Sequence, residues 1–301
     1  MCSTASSPMN FMPVRSSSSD MTRQPRRSHA MARYSAIELP KRRQLPRGDR
    51  CCGHPGTGVI GCDMRIVLSR KGFDTGSGGT ASPIIAGRPI SLPIPTRRRS
   101  VTTYDHLGLG DVVERVTRGR IARGHLCHED PMFTGGHCLF GQCGVAQSHL
   151  RNQGVGVGDV FLFFGLFAEE HTGESHHRIF GYLHVDDVVS PSMGELGPLD
   201  RRHPHKIGEW NENNTIYRGA GGVANKDHEA LRLTKPGGPL RQWIVPSWLR
   251  TAGLSFHGNP ERWMADDRLE IVARGQEFVS DVGSDSTARD WLCKVIEVIQ
   301  S

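Results

Sequence analysis

The chain has 301 residues, with 37 Lys and Arg, 31 Asp and Glu, 36 Gly, 18 Pro and 8 Cys. That length allows one large domain or two small ones with buried cores. Glycine shows no three-residue period, which excludes a collagen-like chain, and the longest apolar stretch, Val160 to Ala168, is far shorter than the roughly 20 residues of a membrane-spanning helix. The net charge of +6 lies wholly in residues 1–63, which carry ten basic and four acidic side chains. The remainder is formally neutral, so the basic balance does not mark it as a nucleic-acid binder.

Residues 1–63 read as a disordered basic leader. Ser16 to Ser19 form a serine run, Pro and Arg recur, and the only aromatics are Phe11 and Tyr34. Such a segment buries too little apolar surface to offset its ordering entropy. Its composition suits a transit peptide or a nucleic-acid tether. The preferred account is that Met64 is the true start and that the upstream residues are a translated leader or a mis-called start. Four cysteines lie in this segment and four beyond it, with no regular spacing and no secretory h-region. A cytoplasmic chain with reduced thiols is therefore expected.

Met64 to Ser69 opens as a buried strand, followed by a Gly/Ser loop to Ser82. Pro83 to Ile85 and Pro89 to Pro95 read as an extended pair turned at Ala86-Gly87-Arg88, kept to an edge by proline. Leu109 to Val116 has helical spacing and stops at Gly119. Residues 120–144 read as a long polar loop, and Val145 to Asn152 as a short helix. Gly158-Asp159 feeds the aromatic run Val160 to Phe164, and Arg178 to Val185 returns beside it. Further β-runs are expected at 214–217, 230–233 and 243–245. Ser286 to Gln300 reads as a closing helix with Trp291, Val295, Ile296 and Ile299 facing the core. The class is α+β, with a mixed or antiparallel β core, flanking helices and long loops. The Gly-Asp strand pair is similar to PUA, ASCH and EVE domains, which implies a small β-barrel.

Several clusters could carry chemistry. Arg70 and Lys71 precede the glycine-rich turn Gly76-Ser77-Gly78-Gly79, a pattern able to cradle phosphate through cations and backbone N–H groups. On the residues alone a strand-end turn with solvated cations is the simpler reading, and Asp74 reads as a metal-binding carboxylate or a turn former. His125, Cys127, His128, Asp130, His137, Cys138 and Cys143 form the densest set of metal-ligand types, although their spacing fits no zinc finger. His128 and Asp130 also suit an acid–base pair. Gln142 sits in a glycine-flanked turn where an amide could read a base edge. A Cys143/His149 nucleophile–base pair is the weaker alternative to a buried inert thiol. The histidines of His203-Pro204-His205 and His257 read as surface groups. The Phe set of 161–167 reads as core, and Trp243, Trp248 and Trp263 as walls of a base-stacking pocket.

Met64 to Asp74, Gly79 to Ile84, Ser91 to Pro95, His128-x-Asp130-Pro131, Phe140-Gly141-Gln142-x-Gly144, Gly154 to Gly165 and Gly275 to Val279 occur in this order. The set resembles the nucleotide modification associated domain 3 family of bacteria and phages. The resemblance implies one domain over 64–301 and a link to modified DNA bases, with no settled reaction or cofactor. It raises Arg70, Lys71, Asp74, His128, Asp130 and Gln142 above the structural readings, and leaves His125, Cys127 and Cys138 outside the motifs. Two functions follow. In one, an enzyme modifies a nucleotide or DNA base: Arg70, Lys71, Gly78 and Gly79 hold phosphate, with Gln142 and His149 beside the substrate. Asp74, His128 and Asp130 then do acid–base or metal-assisted work. In the other, a non-catalytic PUA-like reader binds a flipped base. The expected partner is a nucleotide or a nucleic-acid base, DNA included, and no membrane.

Overall fold

Residues 63–191, 200–273, 275 and 277–301 are described by the computed structural model. All of the expected leader except Asp63 therefore lies outside the described residues. The elements along the chain are β1 (Met64–Arg70), β2 (Ser82–Ile85), β3 (Arg88–Pro89), α1 (Gly110–Thr117), β4 (Met132–Thr134), β5 (His137–Gln142) and α2 (Gly144–Asn152). They continue with β6 (Val160–Glu169), β7 (Ser175–Val189), β8 (Thr215–Val223), β9 (Gln242–Ile244), α3 (Trp248–Ala252), β10 (Trp263–Met264), β11 (Arg268–Glu270), β12 (Glu277–Gly283) and α4 (Ser286–Gln300).

The aromatic run starting at Val160 becomes β6, the centre of a nine-stranded mixed sheet ordered β12-β1-β6-β7-β8-β5-β4. Parallel to β6 on one edge lie β1, against residues 160–164, and then β2, against residues 167–169, while β7 pairs antiparallel on the other edge. Strand alternation sends Ile66, Leu68, Leu162 and Phe164 to one face, under α3, α4 and the small sheet β10-β11-β9. Val67, Phe161 and Phe163 go to the other face, where they meet Phe140, Leu150 of α2 and Tyr217. Burial on both faces explains why β6 reads as continuously apolar.

The α+β class holds, with a large sheet and few helices. The expected PUA/ASCH-like barrel does not: the sheet path ends at β12 and β4, which pair with β1 and β5 and not with each other, so the sheet is open. The helix at 286–300 has the expected bounds and is capped by Asp285, whose carboxylate accepts from the N–H groups of Thr287 and Ala288. Residues 120–144 are not one loop. They hold the β4–β5 hairpin, turned at Gly135 and Gly136, both with positive φ, the conformation a two-residue hairpin turn requires. The run at 230–233 is a 3-10 turn rather than a strand. No helix among the described residues is long and apolar enough to cross a membrane.

Candidate functional site

The β4–β5 hairpin and the 203–214 segment build the densest polar cluster around one carboxylate. Asp130 lies just before β4, and its Oδ1 accepts the Gly141 N–H of β5 at 3.0 Å. Its side chain is only 4% exposed, and three imidazoles surround it. His128 Nε2 lies 3.6 Å and His205 Nε2 3.5 Å from Oδ2, while His203 Nε2 lies 3.6 Å from Oδ1. Burial pulls the Asp130 carboxyl upward, but contact with His128 and the charges of His203 and His205 outweigh it and hold the pKa down at about 2. His205 is pushed down to about 4 by burial, against the pull of Asp130 and Asn214. At neutral pH the cluster is thus a carboxylate facing a neutral His205.

The histidines are fixed from behind. His205 Nδ1 meets Asn214 Oδ1 at 2.5 Å, and Asn214 Nδ2 donates to the His205 carbonyl at 2.9 Å, which orients the amide. The His205 N–H donates to His203 Nδ1 at 3.2 Å. Trp210 stacks on the His205 ring at 4.1 Å, and the Arg99 guanidinium lies 4.1 Å from the Trp210 ring centre. The Glu129 carboxylate, held by Thr102 Oγ1 at 3.1 Å and facing Arg202 at 3.7 Å, closes the side towards 202.

Gly141 makes this packing possible. A Cβ there would fall 2.3 Å from His205 Cδ2, so the ring occupies the space a side chain would need. Gly141→Ala is expected to cost about 1–3 kcal/mol and to displace His205 while the sheet still forms. NMR of the histidine ring protons should show His205 shifted and His176 unchanged.

Asp130 also lines a cavity of about 220 Å³ with Lys71, Arg88, Ser91, Phe133 and Phe180. Lys71 crosses to its other partners inside the protein: Nζ sits 3.0 Å from Glu277 Oε1 and 4.3 Å from the centre of the Phe140 ring. Gln142 donates its Nε2–H to the same Glu277 oxygen at 2.8 Å, and its Oε1 accepts the Cys143 N–H at 3.0 Å. Its amide is therefore engaged on both sides. Glu277 is 1% exposed, and among the described residues neither its Oε2 nor the Oγ of its cross-strand neighbour Ser69 has a hydrogen-bond partner.

The sequence-predicted residues separate into three places. His128 and Asp130 converge, joined by His203 and His205, which are buried and not surface groups as expected. Lys71 and Gln142 meet at Glu277. Arg70 points to the opposite sheet face from Lys71, lies 5.7 Å from the Phe164 ring centre, and has its pKa lowered by burial against the pull of Asp74. Asp74 is a turn former: its Oδ1 accepts the N–H groups of Gly76 and Ser77 at 2.8 and 2.6 Å. Gly78 and Gly79 pack against the Phe73 ring and the Arg120 guanidinium.

His149 lies away at Ser255 Oγ, 3.1 Å, and against the Phe256 ring at 4.4 Å, while burial pushes the Cys143 thiol up. Of the other expected ligand types, Cys127 and Cys138 are buried in two separate apolar clusters, and His125 and His137 are exposed. Trp243 and Trp248 are core residues, not walls of an open pocket. No curated protein and no solved structure matches the chain. The model of nucleotide modification associated domain 3 matches residues 65–281, from β1 into β12, and the chain belongs to that family.

Proposed function

We propose that this chain is an enzyme of nucleotide or nucleic-acid-base modification whose reaction centre is Asp130 with His128 and His205. The observation that carries this reading is a buried, ionised carboxylate that belongs to the wall of a cavity and is backed by imidazoles behind that wall. Titrating groups perturbed by burial and specific charge partners beside a cavity are candidates for chemistry. The cavity volume is below the roughly 300–1,000 Å³ of sites for drug-sized ligands, which suits a single base or its reacting portion. Phe133 and Phe180 supply aromatic walls, and Lys71 and Arg88 supply positive charge towards a phosphate. Arg70, on the other sheet face, takes no part in this.

His128 has the most exposed imidazole of the three, with 19% of its side chain accessible. It is expected to be dispensable for binding and essential for turnover. In calorimetric titration with nucleotides, His128→Ala should keep affinity within about threefold, a change of under 1 kcal/mol, and yield no product. Phe133→Ala should weaken binding by tenfold or more. Nucleotide binding with no turnover in the unaltered chain would favour the non-catalytic reader.

A further inference from the structure

We propose that His128, Asp130 and His205 hold one divalent transition-metal ion of the zinc type. The inference rests on the reading above for the ion's chemical use, and on geometry alone for its binding. The two imidazole Nε2 atoms stand 3.6 and 3.5 Å from Asp130 Oδ2, and the three ligand atoms all lie within 4.8 Å of one another. Charge-assisted hydrogen bonds between nitrogen and carboxylate close to about 2.7–2.9 Å, so these separations are longer than direct hydrogen bonds of that kind. Two ligands about 2.1 Å from a tetrahedral zinc stand roughly 3.4 Å apart, which is close to what is observed.

Hydrogen bonding fixes which atoms are free to ligate. Asn214 is oriented by its Nδ2–H bond to the His205 carbonyl, so its Oδ1 faces His205 Nδ1 and takes that nitrogen's proton. In the neutral ring this leaves the Nε2 lone pair aimed at Asp130 Oδ2. A lone pair facing a carboxylate oxygen is repulsive unless a hydrogen-bond donor or a cation stands between them, and a metal ion would satisfy both groups at once. His203 has the opposite tautomer: its Nδ1 accepts the His205 N–H, so its Nε2 carries the proton and faces Asp130 Oδ1. Oδ1 is thus engaged by the Gly141 N–H, and Oδ2 is left for the ion. His203 and Asn214 are the outer partners that orient ligands in metal sites. Three protein ligands leave one position open, the arrangement of catalytic rather than structural zinc, where water or substrate binds.

The test uses the full chain, stripped with a chelator and titrated with Co²⁺, whose visible absorption reports tetrahedral binding without any substrate. The expected result is one Co²⁺ bound with intense visible bands, displaced by Zn²⁺, and raising the thermal midpoint. His128→Ala and His205→Ala should lose the bands, with affinity falling 100-fold or more. His184→Ala, an exposed histidine paired with Asp186, should keep them. His128→Gln, whose site is partly open to solvent, decides the matter if His205→Ala fails to fold. Bands that survive both histidine changes, with thiolate charge-transfer absorption, would place the ion on cysteines and overturn the proposal. Absence of bands in a chain that does modify nucleosides would overturn the metal site and leave the reaction centre standing; bands in a chain that modifies none would do the reverse.

Discussion

Glu277→Ala is expected to destabilise the folded chain by about 3 kcal/mol or more, the scale for removing one partner of a buried ion pair. The Glu277 carboxylate pairs with Lys71, whose side chain is 12% exposed, and it also accepts from Gln142. Its loss leaves an ammonium over the Phe140 ring and an amide N–H with no acceptor. Because Glu277 pairs across β12 with Ser69 of β1, the damage reaches the centre of the sheet. Replacing both partners by Met should recover most of the loss, since an apolar pair of similar volume removes both the charge and its penalty. Urea unfolding of the two variants measures this. A midpoint for Glu277→Ala equal to that of the unaltered chain would show that the pair contributes nothing.

The second large effect is acid destabilisation. His176 and His177, at the start of β7, are both pushed from 6.5 down to about 4, His176 by burial and the charges of Arg232 and Arg178, His177 by burial and Arg70. The Trp243 indole N–H donates to His177 Nδ1 at 3.1 Å, a bond that only an unprotonated nitrogen can accept. With the folded pKa below the unfolded one, the unfolded chain binds the extra protons between pH 6.5 and 4. Stability therefore falls as pH drops through that window, by about 1.4 kcal/mol per pH unit for each histidine. It is fully present above pH 6.5. Urea midpoints between pH 4 and 8 should show the slope, and His177→Gln should reduce it. A flat profile from pH 7 to 5 would contradict this account.

Much of the scaffold is legible in the sequence because its signals are local. The aromatic run at 160–164, the Gly158-Asp159 turn before it and the amphipathic spacing of 286–300 each specify an element by themselves. The hairpin at 132–142 also had a local signal, Gly135-Gly136 between Met132-Phe133-Thr134 and Cys138-Leu139-Phe140, hidden among polar and cysteine residues that suggested a loop. Arg70 ends β1 and Lys71 follows it, so the two side chains turn to opposite faces as alternation continues by one residue past the strand.

The site is less legible. His128 and Asp130 are near neighbours in sequence, but His203, His205 and Asn214 arrive from 73 to 86 residues later, and no local rule brings them to β4. Likewise Gln142 and Glu277 are 135 residues apart, and their contact depends on β12 pairing with β1 across the sheet. Flanking glycines suggested close approach at Gln142. The structure places the approaching group at Gly141 instead, and it is the ring of His205.

The most direct test of the Asp130 centre is mass spectrometry of nucleosides from the DNA and RNA of cells lacking this chain, complemented with the unaltered chain or with His128→Ala at matched expression. The account predicts a modified nucleoside with the unaltered chain and its loss with His128→Ala. A modified nucleoside present at the same level in both, or nucleoside profiles identical in all strains, would contradict it.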